Sequence, residues 1–212
     1  MILQLVGILQ IKSYEKAKQF LNQEHVGRIS TIDEGGYPQI IPMNFVFLND
    51  AVYMHSHPRG EKIQNFQRND KVGFEVDREL EFLPSYFEDP KNASLADTLY
   101  ISIVIKGTAS MVTDKEEKTM ALNGLMKKYQ PEGGYDPIAP DMRVLDGVAV
   151  IKIVPVSLQG KYKIGQHLSQ IDRIDLAKKI LKRNSPTAKE TLRVMGFEIT
   201  DSGLKMVDEP TW

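Results

Sequence analysis

Cysteine is absent from the 212 residues, which excludes a disulfide framework, a thiolate zinc site and a thiol nucleophile together. That absence fits an intracellular protein, and the cytoplasm is the expected location. Charge of one sign is also lacking: 27 Lys and Arg stand against 28 Asp and Glu, giving a net charge of −1. Without a basic excess, the sequence-independent attraction to phosphate backbones has no source, so no nucleic-acid partner is expected. Long apolar runs are missing too. The stretch Met1 to Ile11 is apolar but about half the ~20 residues a membrane span needs. It has no basic leader or small-residue cleavage site, so it is expected to pack on the domain or a second subunit rather than act as a signal.

Apolar residues make up 42% and glycine contributes 15 positions, a composition that supports one globular core rather than disorder. Ser13 to Glu24 places Tyr14, Ala17 and Leu21 on one helical stripe. From Val26 the pattern turns to strands: VGRISTI, YPQIIPMNFVFL and AVYMHS, separated by Asp33-Glu34-Gly35-Gly36 and Asn49-Asp50. Pro38 and Pro42 cannot donate to a ladder, so the second strand is expected to be bent, bulged or at an edge. A short helix over Glu61 to Arg68 precedes the strand KVGFEVD. Residues 78–98 show no sustained period and read as a long mobile loop, a lid or linker. LYISIVIKGTASMV reads as a strand. Thr113 and Glu116 form a capping box for a helix through Tyr129, and VAVIKIVPV is a last strand. Ile171 to Arg183 and Pro186 to Met195 read as two tail helices, the second capped by Ser185 and ended by Gly196. Closely spaced strands with few crossovers favour an antiparallel barrel of about six strands with helices outside over alternating βαβ units.

The densest chemistry lies in His55-Ser56-His57-Pro58-Arg59-Gly60-Glu61-Lys62, where a strand hands over to a helix. Alternation puts His55 and His57 on one face and Ser56 on the other. The helix start offers free N–H groups and the positive end of its dipole, and Lys62 adds a full charge, which together suit a phosphate. A solvated strand end is the bland alternative. His55, His57 and Glu61 also match half of a cupin-like iron or manganese site, but Pro58 and Gly60 interrupt the strand that would present Glu61. Two further stretches attract interest: Pro38 to Phe45, whose prolines leave backbone groups available to a flat polar ring, and Lys161 to Gln166 at a strand exit. No Gly-x-Ser-x-Gly elbow, Walker loop or GxGxxG fingerprint occurs.

VGRISTIDEGGYPQIIPMNFVF, then AVYMHSHPRGEKIQNFQRNDKVGFEVD, then the strand ending KGTASMV resemble the flavin-binding split β-barrel family. Within it, the pyridoxamine 5′-phosphate oxidase-related proteins that include 5-nitroimidazole resistance reductases are the most similar, over residues 13–166. The resemblance implies a mainly β fold, a six-stranded antiparallel split β-barrel with flanking helices. Residues 1–12 would form an N-terminal apolar segment, 13–166 the flavin domain and 167–212 a helical C-terminal extension. It further implies a homodimer with FMN at the subunit interface. In that arrangement Lys62 holds the phosphate, with Arg59 as a second cation, and His55, Ser56 and His57 line the phosphate and ribityl side. Pro42, Met43 and Asn44 face the ring, and Gln166 reaches it from the other subunit.

Three features depart from the family pattern: Glu61 replaces an arginine, Gly165 replaces a serine, and no Arg and His pair for a pyridoxamine substrate follows residue 160. The expected function is therefore an FMN-dependent reductase of a small planar or nitro-aromatic acceptor, fed by a reduced nicotinamide or another donor, rather than a vitamin B6 oxidase. Its catalytic residues are not assignable from sequence; His57, or His55, is the candidate general acid. A non-catalytic flavin sensor or storage module is the alternative, and related barrels carry haem or deazaflavin instead.

Overall fold

The computed structural model describes residues 7–201 and 203–207. The chain forms two compact units. One joins Glu15–Val76 to Ile103–Gln159; the other joins Asp77–Ser102 to the described residues of Met1–Tyr14 and Gly160–Trp212.

The first unit begins with helix α1 (Tyr14–Gln23), which buries Ala17, Phe20 and Leu21 and leaves Tyr14 exposed. Strand β1 (Val26–Ile32) turns inward Gly27, Ile29 and Thr31, and pairs antiparallel with β2 (Pro38–Asn44). The Asp33 carboxylate accepts from Tyr37 N at 2.8 Å and Gly36 takes φ 83°, so the turn between them uses the chemistry its residues supply. Asn49 and Asp50 both have positive φ and make the two-residue turn from β3 (Val46–Leu48) to β4 (Ala51–Ser56). Helix α2 (Glu61–Arg68) follows, then β5 (Lys71–Leu83), β6 (Asp97–Met111), helix α3 (Lys115–Tyr129), the single turn α4 (Val144–Gly147) and β7 (Ala149–Lys163).

The sheet order is β2-β1-β5-β6-β7-β4-β3. Seven strands are found where six are expected, because the second breaks at Phe45 into β2 and β3. Its two halves end the strand order and are joined covalently through Phe45, so the sheet curls back on itself as a split barrel with no ladder between β2 and β3 among the described residues. Prolines did not make the bend. Pro38 and Pro42 lie on β2, which pairs only with β1 and leaves one edge free.

The corner at Phe45 is held from α3. Phe45 N donates to the Tyr129 hydroxyl at 2.8 Å, and that hydroxyl donates to the carbonyl of His25, with the Phe45 carbonyl also 3.1 Å away. Phe45 is fully buried and meets Phe74 edge to face. Removing the hydroxyl leaves a buried N–H without its acceptor, so Tyr129→Phe is expected to cost about 1–3 kcal/mol in urea unfolding. A loss below experimental error would show that the corner does not depend on this bond.

Lys128 Nζ lies 3.8 Å above the Phe45 ring and donates to the Leu21 carbonyl at 2.9 Å. Burial lowers its pKa from 10.5 to about 8, with Glu24 acting in the opposite sense. A base with a depressed folded pKa binds its proton less tightly folded than unfolded, so stability rises between about pH 8 and 10.5 as the charge is given up. Lys128→Met is expected to flatten that rise in chemical unfolding followed against pH; an unaltered profile would remove Lys128 as its source.

α3 buries Ala121, Leu122 and Leu125 against Val46, Tyr53 and Val150. Its N-cap is Asp114, whose carboxylate accepts from Glu117 N at 2.8 Å, rather than Thr113. The Glu117 side chain is bonded by Tyr53 Oη at 2.8 Å and Lys152 Nζ at 2.6 Å, and the Lys152 contact is the first reason its pKa is lowered.

In the second unit, residues 9–11 pair beside the end of β7, with Tyr162 N donating to Leu9 O at 2.8 Å and Ile11 N to Gly160 O at 2.9 Å. The apolar N-terminal segment thus packs on its own chain where it is described; residues 1–6 lie outside the described residues. A Cβ on Gly160 would stand 2.6 Å from Ile11 Cδ1, which explains glycine there. The expected loop over 78–98 is shorter than the sequence implies: β5 runs on to Leu83, followed by 3₁₀ turns at Ser85–Phe87 and Ala93–Leu95. Glu81 keeps the alternation of β5, on the face opposite Leu80, yet it is 2% exposed.

Glu81 is held by Arg183 Nη1 at 2.8 Å, Thr187 Oγ1 at 2.9 Å and the Ser185 hydroxyl. Ser185 is therefore not a helix cap. The tail consists of α5 (Gln170–Arg183), ended by Asn184 at φ 51°, and α6 (Ala188–Val194), whose chain then turns at Gly196 with φ 86°. It is not wholly helical, since Phe197–Thr200 (β8) and Gly203–Met206 (β9) form a hairpin. Among the described residues no helix is long and apolar enough to cross a membrane.

Candidate functional site

Strand β4 buries Ser56 at its last position and leaves His55 and His57 exposed, as alternation requires. The chain then turns through Pro58 and Arg59, closed by Gly60 N donating to His57 O at 3.3 Å. Arg59 N donates to His57 Nδ1 at 3.2 Å, so a neutral His57 carries its proton on Nε2. α2 starts at Glu61 with Gly60 as its N-cap, and Gly60 supplies no capping side chain. The first N–H groups of the helix are left open at the point where its dipole is positive.

A Cβ placed on Gly60 would lie 3.3 Å from Lys62 Nζ and 3.7 Å from Ser56 Oγ. Lysine and serine thus bracket the space a side chain at 60 would fill. Lys62 Nζ has no ion pair among the described residues, and Ser56 Oγ bonds only its neighbour's carbonyl at 3.2 Å. One ammonium, one hydroxyl and helix-start amides around a bare glycine form a cradle for a compact anion such as a phosphate monoester.

The cradle is fixed to the barrel by a polar chain that sequence reasoning missed. Asn65, fully buried on α2, donates to Thr31 Oγ1 at 3.1 Å and to Gln39 Oε1 at 3.2 Å, and accepts from Arg68 Nη2 at 2.7 Å. Gln39 in turn donates to the Glu61 carboxylate. The carboxylate next to Lys62 is therefore engaged by an amide of β2. An asparagine beside the apolar stripe of Ile63 and Phe66 was the available signal, since a buried amide must find partners. Among the described residues no group of three or more His, Asp or Glu is placed to hold a metal ion, and the Glu61 that a cupin-like site would use is taken by Gln39.

Pro42 and Asn44 are exposed and Met43 is half-buried on the edge strand β2, opposite Arg28, Val26 and Gly27 respectively. All the candidate positions from 42 to 62 lie in the unit of Glu15–Val76. Gln166 belongs to the other unit, where its amide donates to Tyr162 O at 2.8 Å and Ile8 O at 3.2 Å and accepts from Ile164 N at 3.0 Å. Those bonds hold the exit of β7. Gly165 has φ 80°, a conformation a serine would adopt only with strain, which accounts for the departure at that position.

Residues 13–162 match the family model described as pyridoxamine 5′-phosphate oxidase. No curated protein sequence matches the chain. Similar solved structures include a candidate 5-nitroimidazole antibiotic resistance protein from Bacteroides thetaiotaomicron, 24% identical, with TM-score 0.61 over 72% of this chain and 86% of that one. The flavocytochrome Anf3 from Azotobacter vinelandii is 17% identical with TM-score 0.64, covering 78% and 74%. The FAD and haem binding protein from Mycobacterium smegmatis is 15% identical with TM-score 0.63, covering 79% of each chain. At these identities the structures establish a shared fold.

Proposed function

From the premise that this chain belongs to the pyridoxamine 5′-phosphate oxidase family, we propose that it is an FMN-binding oxidoreductase reducing a small planar acceptor, with nitro-aromatics among the candidates. The observation that carries this reading is the unpaired Lys62 ammonium folded over Gly60 beside Ser56, which matches the terminal phosphate of FMN in charge and size. Arg59 adds a second cation at the mouth of the cradle. His55 and His57 stand on the exposed side of the same strand end, toward the sugar-like chain. Pro42, Met43 and Asn44 offer a free strand edge to the flat ring, and Gln166 is assigned to the site of a partner subunit. The flavin domain is taken as residues 13–166, with 1–12 and 167–212 as additions.

When bound, the flavin supplies hydride or electron transfer, and the protein's part is to hold and orient it and shield it from water. His57, with its proton on Nε2 and Nδ1 tied to Arg59 N, presents that N–H to an acceptor as a hydrogen-bond donor. A homodimer is supported by the outer face of the sheet, where Val104 on β6 and Val154 and Val156 on the adjacent β7 are exposed. Residence in the cytoplasm is part of the proposal, and the lack of cysteine is in keeping with it. The reading is tested by loading the purified protein with FMN and adding NADH or NADPH with and without a nitro-aromatic. Bleaching of the flavin and its return with acceptor is expected. A yellow protein that neither nicotinamide reduces, in either condition, would make it a binding module instead.

A further inference from the structure

A cavity of about 320 Å³ lies within the second unit, between the end of β5, the turns before β6, the exit of β7 and the start of α5. Half of its lining comes from residues after 162, beyond the stretch that matches the family model. Its volume is at the lower end of small-molecule sites, and its floor is apolar, built from Leu83, Leu99, Leu168 and Leu176.

Four carboxylates, those of Glu88, Asp97, Asp172 and Asp175, stand around that floor, with Lys163 the one cation in the lining. Their partners differ. Lys163 is paired with Asp97, and Lys179, outside the lining, spans Glu88 and Asp175 at 2.9 Å each. Asp172 has no ion pair among the described residues; its Oδ2 accepts only from the Ser169 hydroxyl at 2.7 Å. Two lysines against four carboxylates leave the cavity negative, with Asp172 the carboxylate still open to a cation. His167, also in the lining, has its pKa lowered by burial and by Lys163, so at neutral pH it adds no positive charge to oppose one.

We propose that this cavity binds a small molecule with an apolar, ring-sized body and a protonated amine, the body on the leucine floor and the amine at Asp172. An anion would meet an excess of carboxylates, and a neutral hydrocarbon would leave Asp172 unanswered. The site stands apart from the flavin reading, and its test needs no flavin.

The full-length protein is titrated by calorimetry with 2-phenylethylamine, 3-phenylpropylamine and 4-phenylbutylamine, and with the alcohol and carboxylate of matching length. At least one amine is expected to bind about tenfold or more tightly than its alcohol, as a charge-assisted bond at a half-exposed site allows. The carboxylate should not bind. Asp172→Asn keeps the acceptor for Ser169 and is expected to erase the preference for amine over alcohol. Leu95→Trp, at an exposed position of the lining, fills the cavity without touching the core and should abolish binding of every probe while circular dichroism stays unchanged. The proposal is overturned if no amine saturates, if amine and carboxylate bind alike, or if either variant binds as the parent does.

Discussion

Lys62→Ala is expected to lower FMN affinity by about 10- to 100-fold, the effect of losing one charge-assisted bond to a phosphate. The ammonium has no competing anion among the described residues, so its charge is available to the ligand rather than spent on a neighbour. Glu61, next in sequence, accepts from Gln39 and does not neutralise it. α2 owes its place to Asn65 and Arg68 rather than to Lys62, so the variant should fold as the parent and differ only in retained flavin. Equal occupancy, measured by absorbance after gel filtration, would remove Lys62 from the phosphate role. Arg59→Ala, on an exposed side chain, is expected to lose less.

Arg183→Met should destabilise the protein by about 3–5 kcal/mol, because breaking a buried ion pair from one side leaves the other charge uncompensated. The Glu81 side chain is 1% exposed and Arg183 31%, so solvent cannot replace the guanidinium on the carboxylate. Ser185 and Thr187 remain as hydroxyl donors and temper the loss without cancelling the charge. Because the clamp ties β5 to the connection between α5 and α6, the damage is expected first as exposure of the C-terminal segment to protease. A denaturation midpoint unchanged from the parent, with protease resistance intact, would show that Glu81 is satisfied by the hydroxyls alone.

What sequence made legible followed from local chemistry. Asn49-Asp50 announced a two-residue turn because both residues tolerate positive φ, and both adopt it. The strand-to-helix handover at His55–Lys62 was visible because proline and glycine stop one period and Ile63 and Phe66 start another. Features resting on long-range polar contacts were not visible. The corner at Phe45 depends on the hydroxyl of Tyr129, 84 residues away in sequence. The burial of Glu81 on β5 was hidden, because Arg183, Ser185 and Thr187 come to it from the tail. Asn65 lay inside the stretch AVYMHSHPRGEKIQNFQRNDKVGFEVD, yet its role needed Thr31 and Gln39 from two strands. The cap of α3 is Asp114 rather than Thr113, and the side chain of Glu117, three residues on, is turned to Tyr53 and Lys152 from two strands, contacts no local pattern announces.

The most direct measurement is the identity and amount of chromophore released from the purified protein after saturation with an equimolar mixture of FMN, FAD and haem and removal of the excess. Chromatography of the denatured supernatant should return FMN, close to one per chain in the parent and far less in Lys62→Ala. A protein that comes through colourless, or that retains FAD or haem in place of FMN, would contradict the account of the cradle at Ser56, Gly60 and Lys62.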